Sequence, residues 1–261
     1  MPQTSALLNV TIAAVRKAAR ALARDFGEVE NLQVSKKGPA DFVSSADLKA
    51  EKTLFEELSK ARPGYGFLME ERGAVEGTDK SHRWIVDPLD GTLNFLHGLP
   101  HWAISVGLER EGVLVAGVIY NVVRDELFWA EKGAGAFLND RRLRVAARTS
   151  LSDSVIATGL PFMGKPGHDK SLSEVKRVMG QTAGVRRFGS AALDLAYVAA
   201  GRFDGFWERD LKPWDFAAGA VMVREAGGLA KEIDDGDFME SGAIIAANER
   251  LLTPLTKAVR G

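Results

Sequence analysis

Near the start of the chain, apolar residues recur at helical spacing: Leu8, Ile12, Val15, Ala19 and Leu22 share one face. The pattern predicts a first helix from about Ser5 to Phe26, stopped at Gly27. The same period predicts a second helix with Ala46, Ala50, Leu54 and Leu58 as its buried stripe. Ser44-Ser45-Ala46-Asp47 opens it as the Ser-x-x-Asp variant of a capping box, and Pro63-Gly64 ends it. Between the two helices, Leu32–Val34 reads as extended, the segment from Lys36 to Asp41 as a turn by composition, and Phe42-Val43 as a short extended piece. A strand through Gly66–Met69 then delivers Glu70-Glu71, and His82–Val86 leads into Asp87.

Residues 101–142 change character. Ala103–Leu108, Val113–Tyr120 and Glu126–Ala130 are strand-like and follow one another through turn residues, which predicts an antiparallel meander. Beyond a boundary near Arg141–Ser150, strands and helices alternate. Ser154–Thr158, Gly184–Phe188, Phe203–Trp207, Leu229–Ile233 and Ala243–Ala247 read as extended. Ser171–Met179, Ala191–Ala200, Phe216–Ala226 and Arg250–Val259 read as helical. The chain therefore divides into an α+β half, residues 1–145, and an α/β half, residues 146–261, with no internal repeat.

Composition narrows the possibilities. The 261 residues can bury a sizeable core, and 34 basic against 35 acidic side chains give no basic excess of the kind that marks a nucleic-acid or membrane-surface binder. Without cysteine there are no disulfides, thiolate metal sites or cysteine nucleophiles, which is compatible with a cytoplasmic location. No apolar run approaches the roughly 18 residues of a membrane span. Arg16, Lys17, Arg20 and Arg24 give the N-terminus the charge of a transit peptide, but its packed amphipathic face points to a structural helix.

The stretch Trp84-Ile85-Val86-Asp87-Pro88-Leu89-Asp90-Gly91-Thr92-Leu93-Asn94-Phe95 carries the densest chemistry. A buried strand ends on two carboxylates three positions apart. Pro88, with fixed φ and no N–H, predicts a sharp turn out of the sheet that aims Asp87 and Asp90 at one point and leaves the Leu89 carbonyl free. Gly91-Thr92 reads as a helix start, whose unpaired N–H groups favour an anion. Cation ligands facing anion donors describe a site for a metal-bound phosphate. Glu70 at a strand end and Asp47 and Asp215 in the first turns of helices are further acids, although the helix dipole alone favours the latter two.

This run resembles the signature of the inositol monophosphatase family, the Mg-dependent sugar-phosphate phosphatases. The order is also similar: an acid after a strand, the Asp-Pro-Leu-Asp-Gly-Thr turn about 17 residues on, then Trp214-Asp215 before an Ala/Gly-rich helix. The resemblance covers almost the whole chain, including Gly189-Ser190-Ala191-Ala192, Glu208 and Glu225-Ala226-Gly227-Gly228. From Gly189 to Gly219 it looks most like the bacterial branch of inositol-1-monophosphatases.

The resemblance implies a layered αβαβα sandwich of the inositol monophosphatase and fructose-1,6-bisphosphatase type. It implies a first Mg²⁺ on Glu70, Asp87 and the Leu89 carbonyl, a second on Asp87, Asp90 and Asp215, and a third, weaker ion on Glu70 and waters. Oxygen donors of this kind suit Mg²⁺ or Mn²⁺ better than zinc. Thr92 and Asp47 match the pair that orients the attacking water, Gly91 and Thr92 the phosphate-binding N–H groups, and Lys36 a lysine of electrostatic role. Asp90, the backbone of Gly189, Ser190 and Ala191, and Glu208 match the inositol contacts. A phosphorylated polyol would then be hydrolysed by direct in-line attack of a metal-activated water. Li⁺ sensitivity and a homodimer are implied as well. Met69 departs from the glycine often found before the metal-binding glutamate, and Lys212 stands where relatives vary.

Within the superfamily, fructose-1,6-bisphosphate, NADP, nucleotide 3′-phosphates and histidinol phosphate are alternative substrates. The absence of an extra basic insertion favours a monophosphate. A haloacid-dehalogenase motif would place its aspartates two apart rather than three. A binding or regulatory role is a reading of another class, with Arg141-Arg142-Leu143-Arg144 as a candidate surface for RNA or protein.

Overall fold

Ser5 caps helix α1 (Ala6–Phe26) by accepting the Leu8 N–H at 3.1 Å, and Gly27 closes it on the Arg24 and Asp25 carbonyls. The computed structural model describes residues 4–28, 34–38 and 41–261, and of residues 35–38 and 41–43 the backbone. Strands β1 (Val34–Gly38) and β2 (Asp41–Ser44) pair as an antiparallel hairpin. The segment expected to turn from Lys36 is thus extended as far as Gly38. Lysines and glycine report a polar surface but do not distinguish a turn from a hairpin arm. The expected extended residues before Val34, and Pro39-Ala40, lie outside the described residues. Helix α2 (Ser45–Ala61) starts with the expected capping box, and Ala46, Ala50, Leu54 and Leu58 are all buried.

The larger sheet holds β3 (Tyr65–Met69), β4 (Gly73–Val75), β5 (Asp79–Asp90), β6 (Ala103–Arg110), β7 (Val113–Asn121), β8 (Glu126–Glu131), β9 (Gly135–Leu138) and β10 (Arg141–Arg142). Its order is β10-β9-β8-β7-β6-β5-β3-β4, with β3 and β5 parallel and every other pair antiparallel. The predicted meander is its centre. A five-stranded sheet follows: β11 (Val155–Thr158), β12 (Gly184–Arg186), β13 (Gly205–Glu208), β14 (Leu229–Glu232) and β15 (Ile244–Ala247), ordered β12-β11-β13-β15-β14. The helices beyond α2 are α3 (Thr92–Leu96), α4 (His168–Met179), α5 (Ala191–Ala199), α6 (Pro213–Glu225), α7 (Phe238–Ser241) and α8 (Glu249–Arg260). The short α7, capped by Asp237, is not legible from periodicity because a single turn carries none.

Packing gives five layers. α1 and α2 cover one face of the larger sheet, α5 and α6 fill the space between the sheets, and α4 and α8 cover the far face of the smaller one. The outermost core contains Leu22, Leu54, Leu58, Trp84, Phe95 and Trp102, each essentially inaccessible. Burying such a side chain is worth roughly 1.5–3 kcal/mol. The middle core joins Ile85, Ile119 and Phe128 of the larger sheet to α5, α6 and Phe206 of the smaller. Helices α5 and α6 are buried on nearly every face, which explains their run of alanines. This is the αβαβα sandwich.

Candidate active site

The expected turn at Pro88 is instead a bulge. Strand β5 continues through Asp90, with Asp87 opposite Ser105 and Asp90 opposite Ala103, so one extra residue is accommodated on the β5 side. Proline has no N–H for the ladder, and a bulge is where a sheet tolerates one. In a regular strand, residues three apart face opposite sides. The extra residue resets that alternation, which lets the Asp87 and Asp90 carboxylates converge. The chain leaves the sheet only at Gly91, whose φ is 94° and where a Cβ would sit 3.1 Å from the His101 carbonyl.

One oxygen each of Asp87, Asp90 and Asp215 lies within 4.8 Å of the others. Asp215 is the third residue of α6, and its carboxylate accepts the Lys212 N–H at 2.7 Å. It is therefore both a helix-capping acid and a member of the triad. Asp87 accepts the Leu89 N–H at 2.8 Å, and Asp90 accepts the Ala192 N–H at 2.8 Å and the Ser190 hydroxyl. Glu70 follows β3, with its N–H on the Val86 carbonyl at 3.2 Å. It stands outside the triad and lines the same cavity as Asp90 and Asp215. Met69, where a glycine is common, continues β3 with its side chain wholly buried.

Electrostatics mark the site as short of positive charge. Burial, then the Glu70, Asp90 and Asp215 charges, push the Asp87 carboxyl well above the usual range. Asp215 is driven the same way by burial and then by Asp90. Asp90 rises to about 6 through burial, against the pull of its Ser190 and Ala192 hydrogen bonds. Buried acids so placed either hold protons or recruit a cation. The donor set is all oxygen, so the residues fit a hard divalent ion.

Asp47 is buried, and its carboxylate takes the Ser44 N–H at 2.9 Å and the Ser44 hydroxyl. The Thr92 hydroxyl lies 3.0 Å from Asp47 Oδ1 and 3.0 Å from the Leu89 carbonyl. One hydroxyl proton serves one acceptor at a time, so donation to Asp47 releases the Leu89 oxygen. Burial raises the Asp47 carboxyl despite these bonds. The Lys36 side chain lies outside the described residues.

The cavity, about 390 Å³, is also lined by Gly189, Ser190, Ala191 and Glu208. Glu208 ends β13, and burial followed by the Asp215 and Asp90 charges lifts its carboxyl to about 8. A Cβ on Gly159 would lie 1.7 Å from Glu208 Oε1, so that glycine provides the space the carboxylate occupies. Sequence reasoning missed this contact, together with Arg187 and Asn94. Arg187 lines the cavity and opposes the rise of Glu208. Asn94 donates to the His101 and Phe188 carbonyls, each at 2.8 Å, tying α3 to the loop before Gly189. Asn94 falls within the stretch already singled out, whereas nothing local flags Gly159.

The sequence model of the inositol monophosphatase family matches residues 3–261. An inositol-1-monophosphatase of Mesorhizobium japonicum is 62% identical over 257 residues, covering 98% of this chain and 97% of its own. The Nus factor SuhB of Escherichia coli is 42% identical over 255 residues, covering 97% of this chain and 96% of its own. The crystal structure of extragenic suppressor protein suhB from Bartonella henselae matches with a TM-score of 0.96 at 60% identity, over 98% of this chain and 99% of that one. With its fold, its acidic triad and this match along nearly its full length, the chain belongs to the inositol monophosphatase family.

Proposed function

We propose that the protein is a Mg²⁺-dependent phosphate monoester hydrolase that converts a myo-inositol phosphate and water to myo-inositol and inorganic phosphate. The observation that carries this reading is the convergence of Asp87, Asp90 and Asp215 to within 4.8 Å, beside a cavity that also holds Glu70 and Glu208. Asp87, Asp90 and Asp215 would hold one cation, and Glu70, Asp87 and the Leu89 carbonyl another, with Mn²⁺ an acceptable substitute and Glu70 serving a weaker third. Bound there, the ions would lower the pKa of a coordinated water and offset charge on the transferring phosphoryl group.

The chain's own part is positioning and proton handling. Thr92 is too weak a base to act unaided, and the Asp47 carboxylate within hydrogen-bond reach lets the pair orient the attacking water and take its proton. The raised Asp47 pKa favours proton acceptance. Backbone N–H groups of Gly91 and Thr92 hold phosphate oxygens, and Lys36 adds positive potential. Glu208, with Asp90 and the Gly189–Ala191 backbone, recognises the alcohol: cations that offset the Asp215 and Asp90 charges would favour its ionised form, and a carboxylate accepts two hydrogen bonds from neighbouring hydroxyls. Family resemblance further supports Li⁺ competition, a homodimer and a cytoplasmic location. No helix among the described residues is long and apolar enough to cross a membrane.

Phosphate release from inositol 1-phosphate, followed with and without Mg²⁺ and with Asp87→Asn, tests the reading. Metal-dependent turnover abolished by the variant supports it, and turnover that ignores both overturns it. A second reading, a binding role in RNA or protein assemblies, draws on the name of the Escherichia coli relative and on exposed Arg141 and Arg142 of β10. RNA or protein binding that survives Asp87→Asn would support that role.

A further inference from the structure

Glu51 lies one helical turn beyond Asp47 on α2 and is 3% exposed. Burying a carboxylate there is costly unless its oxygens are satisfied. Its Oε2 accepts the Glu71 N–H at 2.8 Å and the Arg72 N–H at 3.3 Å. Arg72 Nε is 4.0 Å from the other oxygen, and its guanidinium lies 4.3 Å over the Phe55 ring on the same helix. The two N–H groups that Glu51 holds belong to the residues immediately after Glu70. On the other side, the Glu70 N–H is fixed to the Val86 carbonyl of β5 at 3.2 Å. Glu70 is thus suspended between a strand and a helix, and the helical anchor is a side chain rather than a ladder.

We propose that Glu51 is a positioning residue for Glu70: by gripping the turn that follows, it sets where the Glu70 carboxylate stands in the cavity. The proposal rests on the metal-dependent reading above. Asp47 and Glu51, at i and i+4, face the same way on α2. One helix face therefore holds both the Thr92 hydroxyl and the backbone behind Glu70, so the water-orienting pair and this cation ligand share a single support. Outer partners of metal ligands typically tune affinity about 10- to 100-fold without touching the ion.

The test titrates the full-length protein with Mn²⁺ alone, by electron paramagnetic resonance of the free ion, and separately measures kcat against Mg²⁺ concentration. Glu51→Ala should weaken Mn²⁺ binding about tenfold or more and raise the Mg²⁺ half-saturation to match. At saturating Mg²⁺, kcat should stay within about threefold. Glu51→Gln retains an acceptor oxygen and should restore metal affinity to within about threefold. Should the alanine variant fail to fold, Glu51→Asp, too short to reach both N–H groups, should weaken Mn²⁺ measurably and carries the test. Unchanged Mn²⁺ affinity in a folded Glu51→Ala or Glu51→Asp overturns the proposal, as does a fall in kcat with metal binding intact. Glu70→Gln separates the two levels. If it leaves Mn²⁺ affinity unaltered, the role of Glu70 itself fails. If it weakens Mn²⁺ while the Glu51 variants do not, only the positioning claim fails.

Discussion

At the acidic triad every carboxylate already has a backbone donor: Leu89 on Asp87, Ala192 on Asp90 and Lys212 on Asp215. Glu208, lining the same cavity, receives no hydrogen bond from the described residues and rests against Gly159. The first arrangement fixes oxygen positions before any cation arrives, at the cost of crowding like charges. The second leaves a carboxyl at the cavity wall, raised to about 8 by burial and neighbouring charges, open to partners that enter the cavity. On the proposed function, preorganised oxygens would suit the reacting centre and an unpartnered carboxyl would suit selection of the alcohol.

The contrast can be broken most sharply at Asp90. Asp90→Asn should retain the fold and lose roughly 10³-fold or more in kcat, since it removes one of the charges that would hold the cation. Near-normal turnover at saturating Mg²⁺ would take Asp90 out of the metal site.

The same variant should behave oppositely in stability. Burial beside the other acids pushes the folded Asp90 carboxyl up to about 6 from an ordinary 3.8, so the folded chain binds protons here more tightly. The associated stability is fully present below about pH 4 and is lost as pH rises through 6. Metal-free protein should therefore lose stability over that interval, as the crowded acids around Asp90 are forced to ionise together. Asp90→Asn should be the more stable protein at pH 8 without metal, and added Mg²⁺ should close the gap. Denaturant midpoints at pH 5 and pH 8 in chelator provide the check, and parallel curves for both proteins would remove the charge-crowding account.

Thr92→Val should cut kcat roughly 10²-fold while leaving Mn²⁺ affinity in place, because it removes the hydroxyl's contacts to Asp47 and to the Leu89 carbonyl but leaves that carbonyl free for the cation. A parallel loss of metal binding would instead make Thr92 part of the cation site. At the recognition end, Glu208→Gln and Gly159→Ala should each raise KM for inositol phosphates by about tenfold, with little change for small aryl phosphates. Equal effects on both substrates would exclude Glu208 from alcohol recognition.

Features readable from the sequence were those that act locally. The Ser44–Asp47 box, the stripe on α2 and the residue types of the Asp87–Thr92 motif each lie within one short segment of chain, and the first two follow from helix rules alone. Asp215 shows why a local rule can be right and incomplete, since its hydrogen bond to Lys212 is an ordinary helix cap while its carboxylate also joins Asp87 and Asp90, strangers in sequence. The bulge at Pro88 reads locally as an exit from the sheet because its pairing partner, Ser105–Ala103, lies outside any local window. Gly159 beside Glu208 and Glu51 beneath Glu71 escaped for the same reason: the contacts span 49 and 20 positions.

The middle helices bear on how the molecule could be taken apart. Residues 65–142 supply the larger sheet, yet one of its faces is roofed by α5 and α6, which come from beyond residue 190. Severing the backbone near residue 145 would cut between sheets but through a shared interior. Each fragment would carry a bare apolar slab fitted to the other, so the two pieces should cling as a complementing pair and fail as soloists.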